Sequence, residues 1–133
     1  MTLLVPGPPI SMQRPRLSRK KVYNPQSKIK NDLIFYLRAK YHVPQGLAQY
    51  KGPVSLNISF FMPIPKSLSK VKQKRLLNQP HICRPDLDNL VKFYCDLCTN
   101  LLYFDDASIY TITSSKVYSL EPRTEISILY EEK

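Results

Sequence analysis

Acidic residues are scarce in this chain. Its 133 residues include 10 Asp and Glu against 20 Lys and Arg, which gives a formal net charge of +10. A balance this basic points to an anionic partner, and nucleic acid fits it better than an acidic membrane surface. The length suits one domain, spanning residues 1–133, so DNA or RNA binding and any chemistry must share one surface.

Cysteines and long apolar runs are also in short supply. Three cysteines, an odd number, do not indicate a disulfide framework, so a reducing cytoplasm is the natural setting. No apolar run approaches the roughly 20 residues of a membrane helix. The first ten residues lack a basic start and are broken by prolines. These absences predict a soluble, unsecreted protein with no membrane partner.

Strands are predicted where apolar and polar residues alternate. Residues 54–60 give the most regular pattern, with apolar residues at the even positions and polar ones at the odd positions. Further strands are predicted over residues 2–5, 109–118 and 124–130. The last two are joined near Glu121-Pro122, and we expect them to form a hairpin that closes the sheet.

Two stretches show apolar residues at helical spacing. The first runs from Ile29 to Tyr41, with Asn24 offering an N-cap, Pro25 at the first helical position and an end before Pro44. The second covers residues 87–102. The fold class is therefore α/β (α+β): a small mixed β-sheet packed with two main helices in a single domain.

The few acidic residues are clustered. Asp86 and Asp88 follow Pro85 directly, and Asp105-Asp106 come just after the second predicted helix. Residues two apart on a regular helix point nearly opposite ways. Asp86 and Asp88 can therefore serve one metal only if Asp86 lies in an extended segment and the helix starts near Leu87 or Asp88. A sparse set of carboxylates suits Mg²⁺, which keeps several waters and takes phosphate oxygens as ligands.

Lys92 follows Asp88 by one helical turn, and Asp96 follows Lys92 by another. The spacing would put an ammonium group beside the proposed metal. The same residues also have a structural interpretation, in which Asp86 caps the helix, Asp88 pairs with Lys92 and the later pair forms a turn. Spacing alone leaves both open.

Cys95 and Cys98 have the CxxC spacing of some zinc sites, and Cys83 and His81 are near them in sequence. Both CxxC positions fall on the apolar stripe of the predicted helix, which favours buried helix residues. A small zinc-stabilised interaction module is the alternative.

The segment Asp86-Leu87-Asp88-Asn89-Leu90, followed by Lys92, Asp96 and Asp105-Asp106, is similar to the signature of the RusA family of Holliday junction resolvases. The resemblance extends to residues 7–9, 13–16 and 122–125 and so covers nearly the whole chain. It implies a mixed α/β homodimer that cuts four-way DNA junctions. A two-fold symmetric dimer would supply two active sites for two opposed strands.

The resemblance also implies residue roles. Asp86, Asp88 and Asp106 would bind Mg²⁺, with Mn²⁺ able to substitute, and Lys92 would be the essential lysine of catalysis. The metal would activate water for phosphodiester hydrolysis, and Lys92 would offset developing negative charge. No small-molecule cofactor is implied. A bacterial or phage origin and a cytoplasmic, nucleoid-associated location follow from the same resemblance.

Several basic residues are candidates for contact with the DNA backbone. What they share is a positive side chain that can follow phosphates: Arg14, Arg16, Arg19, Lys20, Lys21, Lys72, Lys74, Arg75, Arg84 and Lys116. The plainer interpretation is a solvated basic surface. A DNA-binding protein without activity, recognising branched or plain duplex DNA, is therefore the alternative function.

Overall fold

The computed structural model describes residues 1–13, 16–17, 22–23 and 26–131. The helices in these ranges are α1 (Ser27–Tyr41), α2 (Lys70–Leu76) and α3 (Leu87–Cys98), with short 3-10 segments at Gln45–Gln49 and Asp106–Ser108. The strands are β1 (Thr2–Pro6), β2 (Arg16–Leu17), β3 (Val22–Tyr23), β4 (Val54–Pro63), β5 (Ile109–Ser119) and β6 (Arg123–Tyr130).

Four strands form one mixed sheet in the order β1-β6-β4-β5. The central strand β4 pairs in parallel with β5 and antiparallel with β6, and β1 pairs antiparallel with β6. Strands β2 and β3 form a separate two-stranded antiparallel sheet. The predicted mixed sheet with two main helices is confirmed, and α2 adds a third, shorter helix.

The predicted hairpin between the last two strands is wrong. Strands β5 and β6 lie on opposite sides of β4, so the residues between them, 120–122, cross over its end. The physical reason is burial. Strand β4 buries every second side chain from Val54 to Met62, whereas no residue of β5 is fully buried. The most apolar strand takes the centre, and the Ser- and Thr-rich β5 becomes an edge.

Helices α1 and α3 cover one face of the sheet. The buried face of β4 joins Leu3 and Val5 of β1, Ile126 and Ile128 of β6, and the apolar side of α3 in one core. The core includes Tyr94, whose hydroxyl accepts a hydrogen bond from the Ile10 N–H at 3.0 Å. On β4 and β6 the opposite face carries Ser55, Asn57 and Ser59 together with Arg123, Glu125 and Leu129.

Helix α1 ends at Tyr41, before Pro44, as predicted. Its predicted start at Asn24 and Pro25 lies outside the described residues. Helix α3 begins at Leu87 and ends at Cys98, four residues before the predicted end, because the chain turns extended at Thr99. No described helix combines the length and apolar character that crossing a membrane demands.

Candidate active site

Asp86 lies at the point where the extended chain turns into α3. Its backbone is extended, with φ −68° and ψ 143°, and the helix begins at the next residue. The change of chain direction that a shared metal would require between Asp86 and Asp88 is present. The Asp86 carboxylate makes no capping hydrogen bond to the helix, so the interpretation of this residue as a simple helix cap is not supported.

Asp88 and Lys92 project from the exposed side of α3, whose other side is buried. Among the residues that the structure describes, ion pairs within 4.0 Å join Lys30 to Asp96 and Arg123 to Glu125. Asp88 and Lys92 therefore do not form the surface pair of the structural interpretation. Both charges are available to a ligand.

A cleft of about 640 Å³ lies between α3 and the edge strand β5, and Lys92 and Asp106 both line it. The two residues come from different elements, so the chain that follows α3 returns beside this helix. Met12 closes one side of the cleft, and its N–H donates to the Asn89 carbonyl at 2.9 Å. The other lining residues are Val91, Cys95, Asp96, Ile109, Tyr110, Thr111 and Ile112.

The two residues of the Asp105-Asp106 pair have different surroundings. The Asp105 carboxylate accepts a hydrogen bond from the Ala107 N–H at 3.1 Å, which lowers the pKa of Asp105. The pKa of Asp106 is raised, first by its hydrogen bond with Asp105, then by partial burial and by the charges of Asp105 and Asp96. Asp105 thus belongs to the turn, while Asp106 faces the cleft.

Asp96 is a cleft residue to which the sequence hypothesis gave no role. Its Oδ2 is bound by the ammonium of Lys30 from α1, and the Lys30 side chain is 10% exposed against 53% for Asp96. The same ammonium lies 5.4 Å from the centre of the Phe93 ring. Lys30 shares the buried side of α1 with Leu37. A lysine on an apolar helix stripe is the sequence signal that could have revealed this pair.

Lys116 holds the loop that precedes Asp86. Its ammonium donates to the carbonyls of Cys83 and Pro85, each at 2.6 Å. Lys116 lies on β5 opposite Phe60, so these bonds tie the start of α3 to the sheet. The sequence assigned Lys116 to DNA contact, but the structure gives it a positioning contact within the protein.

The three predicted metal ligands are not gathered into one group. Within the described ranges, no three His, Cys, Asp or Glu side chains lie close enough together to hold a metal ion. The donor chemistry does fit Mg²⁺, because Asp86 and Asp88 are exposed carboxylates free of capping and ion-pair bonds. Mg²⁺ commonly takes one or two carboxylates plus substrate phosphate instead of a complete protein cage. The ligand set Asp86, Asp88 and Asp106 stays a prediction.

Cys95 and Cys98 are buried in the core on α3, which confirms their interpretation as helix residues. Burial, with smaller contributions from Asp106 and Asp96, raises the pKa of Cys95 to about 11, and burial raises that of Cys98 further. Zinc binds thiolates, which these environments disfavour. Cys83 is exposed, with its sulfur 3.4 Å from His81 Nε2. The zinc-module alternative therefore has no support among the described residues.

The remaining basic candidates divide into two groups. Lys72, Lys74 and Arg75 are exposed on α2, and Arg84 is exposed in the loop before Asp86. Arg14, Arg19, Lys20 and Lys21 lie outside the described residues, and Arg16 is described only as part of strand β2. The assignment of these residues to DNA stays a prediction.

Exposed carboxylates and a lysine around one cleft, in a strongly basic domain, are the components of a nuclease that hydrolyses phosphodiesters with a metal ion. Comparison with known families agrees with this class. The pattern of the family described as Endodeoxyribonuclease RusA matches residues 6–129, and the chain belongs to that family of enzymes.

Two relatives extend the comparison. One is a protein of Bacillus subtilis (strain 168) described as Uncharacterized protein YqaN, 35% identical over 130 residues, covering 92% of this chain and 90% of the relative. The other, from Lactococcus phage r1t, is described as Crossover junction endodeoxyribonuclease rusA. It is 36% identical over 86 residues, covering 64% of this chain and 60% of the phage protein.

Proposed function

We propose that this protein is a Mg²⁺-dependent, structure-selective endodeoxyribonuclease that resolves four-way DNA junctions by paired phosphodiester hydrolysis, with residues 1–133 acting as a single nuclease domain. The observation that carries the proposal is the cleft shared by Lys92 and Asp106. These residues are separated in sequence by the rest of α3 and a turn, yet both line the same cleft. The phage relative is described as a crossover junction endodeoxyribonuclease, which supports a DNA junction as the substrate class.

Asp86, Asp88 and Asp106 are the proposed ligands of the divalent cation, for which Mn²⁺ can substitute. When bound, the cation supplies activation of a water nucleophile and stabilisation of the leaving oxygen. Lys92 stays beside the scissile phosphate and offsets the negative charge that develops there. Asp105 keeps Asp106 turned to the cleft, and Lys116 fixes the loop that presents Asp86.

The proposed active form is a homodimer. A four-way junction is resolved only when two opposed strands are cut, and a closed two-fold dimer carries two sites in matching positions. The exposed cations of α2, Arg84 and the basic residues at 14, 16 and 19–21 are proposed to follow the phosphate backbone, with no small-molecule cofactor involved. Such an enzyme would act on DNA in the nucleoid of a bacterial cytoplasm, as a chromosomal or phage protein.

The test is a cleavage assay on end-labelled four-way, forked and linear DNA of matched sequence, with Mg²⁺, with Mn²⁺ and with a chelator. We expect paired nicks in the four-way junction that depend on the cation, and much slower cutting of linear DNA. Tight junction binding with no nicking under any of these conditions would instead favour the DNA-binding alternative.

A further inference from the structure

The cleft beside Lys92 and Asp106 is larger and more apolar than a phosphate group requires. Its volume of about 640 Å³ lies in the range of sites that enclose a small organic molecule. Its apolar wall is formed by Met12, Val91, Ile109 and Ile112, which come from three parts of the chain. An anionic phosphodiester makes no favourable contact with such an apolar wall, whereas a flat, weakly polar ring packs against it.

We propose that this cleft binds one unpaired nucleobase adjacent to the scissile phosphate. The inference rests on the proposed function, because Lys92 and Asp106 mark where the phosphate lies. The nucleotide next to a cut phosphate is held within one sugar of it by the backbone, so its base reaches the same cleft. Every nucleobase has a π-face that packs on apolar and aromatic side chains regardless of sequence.

This occupant gives a physical basis for selecting branched DNA. A base in a linear duplex must be unpaired and unstacked before it can enter a cleft, and that step is unfavourable. The cost of displacing a base falls where its pairing and stacking are weaker, as we expect for a base at the branch point. A protein that cuts only after a base has entered would therefore discriminate against linear DNA without reading its sequence.

Ile112 is the best probe of the wall. It lies on the edge strand β5 opposite Leu56, whose side chain is in the core, so Ile112 faces the α3 side of the sheet, where the cleft is. It is 39% exposed, so Ile112→Gln removes apolar surface without unfolding the core and without changing charge. Leu129 is the matched control. It is 62% exposed and lies opposite Ser55, on the other face of the sheet.

The experiment combines protein variants with altered DNA. In a four-way junction with a known cut, each nucleotide flanking the scissile phosphate is replaced in turn by an abasic residue, which removes the base and keeps the phosphate. We expect one abasic position to slow cleavage by the wild-type protein about tenfold, the effect of losing one stacked base. Ile112→Gln should cut the intact junction about tenfold more slowly and be insensitive to that abasic position. Leu129→Gln should behave as wild type.

The outcomes separate the inference from the proposed function. If intact junctions are cut but no abasic position matters, the nucleobase site is refuted while the nuclease stands. If the abasic effect is as large in Ile112→Gln as in wild type, the base is bound elsewhere and the cleft assignment is refuted. If no junction is cut at all, the proposed function fails and this inference fails with it. Thermal unfolding of each variant checks that the folds are equivalent.

Discussion

Removal of either partner from the Lys30–Asp96 ion pair tests the packing of α1 against α3. The two removals should differ in how far they destabilise the fold. The Lys30 side chain is 10% exposed, while that of Asp96 is 53% exposed. Asp96→Asn leaves a buried ammonium without its counter-charge, a change that destabilises proteins by about 3 kcal/mol. Lys30→Met leaves a half-exposed carboxylate that water can solvate, and methionine keeps an unbranched chain against Phe93 and Met12.

Because water screens the exposed carboxylate, we expect Lys30→Met to destabilise the fold by about 1 kcal/mol or less. The double variant Lys30→Met, Asp96→Asn has neither charge, so its stability should lie within about 0.5 kcal/mol of Lys30→Met and above that of Asp96→Asn alone. For a domain of this size, the difference between the two single variants corresponds to about 6 to 10 °C in Tm.

The assay is urea unfolding followed by far-UV circular dichroism, since the chain has no tryptophan to report on unfolding. Asp32→Asn, an exposed substitution on α1, is the matched control and should have little effect. The reasoning is refuted if Lys30→Met destabilises as much as Asp96→Asn, or if the two effects add in the double variant.

Three further results are expected. Lys116→Met frees the Cys83 and Pro85 carbonyls, so kcat should fall about tenfold with junction affinity nearly unchanged. Lys74→Met on α2 should instead weaken junction binding and leave kcat unchanged. The reverse pattern would contradict both roles. An alkylating reagent should modify the exposed Cys83 first, because burial raises the pKa of Cys95 to about 11 and that of Cys98 further. Mass spectrometry gives the order in which the thiols are alkylated. Early alkylation of Cys95 would contradict the packing of α3. Burial, then the Lys116 charge, lowers the pKa of His81, so the unfolded chain binds more protons than the folded one as pH falls below 6.5. The free energy of unfolding should therefore be lower at about pH 5 than at about pH 7, and urea titrations should show a smaller decrease for His81→Gln than for the wild type. Equal decreases would contradict this linkage.

The start of α3 could be predicted from the sequence, whereas the strand order could not. Pro85 disfavours helix at the residue before it, and apolar spacing begins at Leu87, so local rules alone locate the turn at Asp86. Periodicity gives strands but not their neighbours, and a three-residue connection after Ser119 suited a hairpin as well as a crossing over β4. The burial of β4 on the sheet's inner face decides between them.

Parts of the candidate site depend on contacts between distant residues. The hydrogen bond from the Ala107 N–H holds the Asp105 carboxylate in its turn, which a sequence pattern does not specify. The bond from Lys116 to Cys83 joins residues 33 positions apart. The Lys30–Asp96 pair joins residues 66 positions apart. Such contacts form only when the sheet and helices pack, which is why sequence analysis did not predict the Lys30–Asp96 pair and assigned Lys116 to DNA contact.

The central claim is that carboxylates at the start of α3 and Lys92 carry out cleavage, and Asp88→Asn tests it most directly. Cleavage of a four-way junction with Mg²⁺ should fall about a thousandfold, while junction affinity and Tm stay close to wild type. Asp105→Asn, whose carboxylate is bonded within its turn, should have a much smaller effect. Undiminished cleavage by folded Asp88→Asn protein would contradict the account.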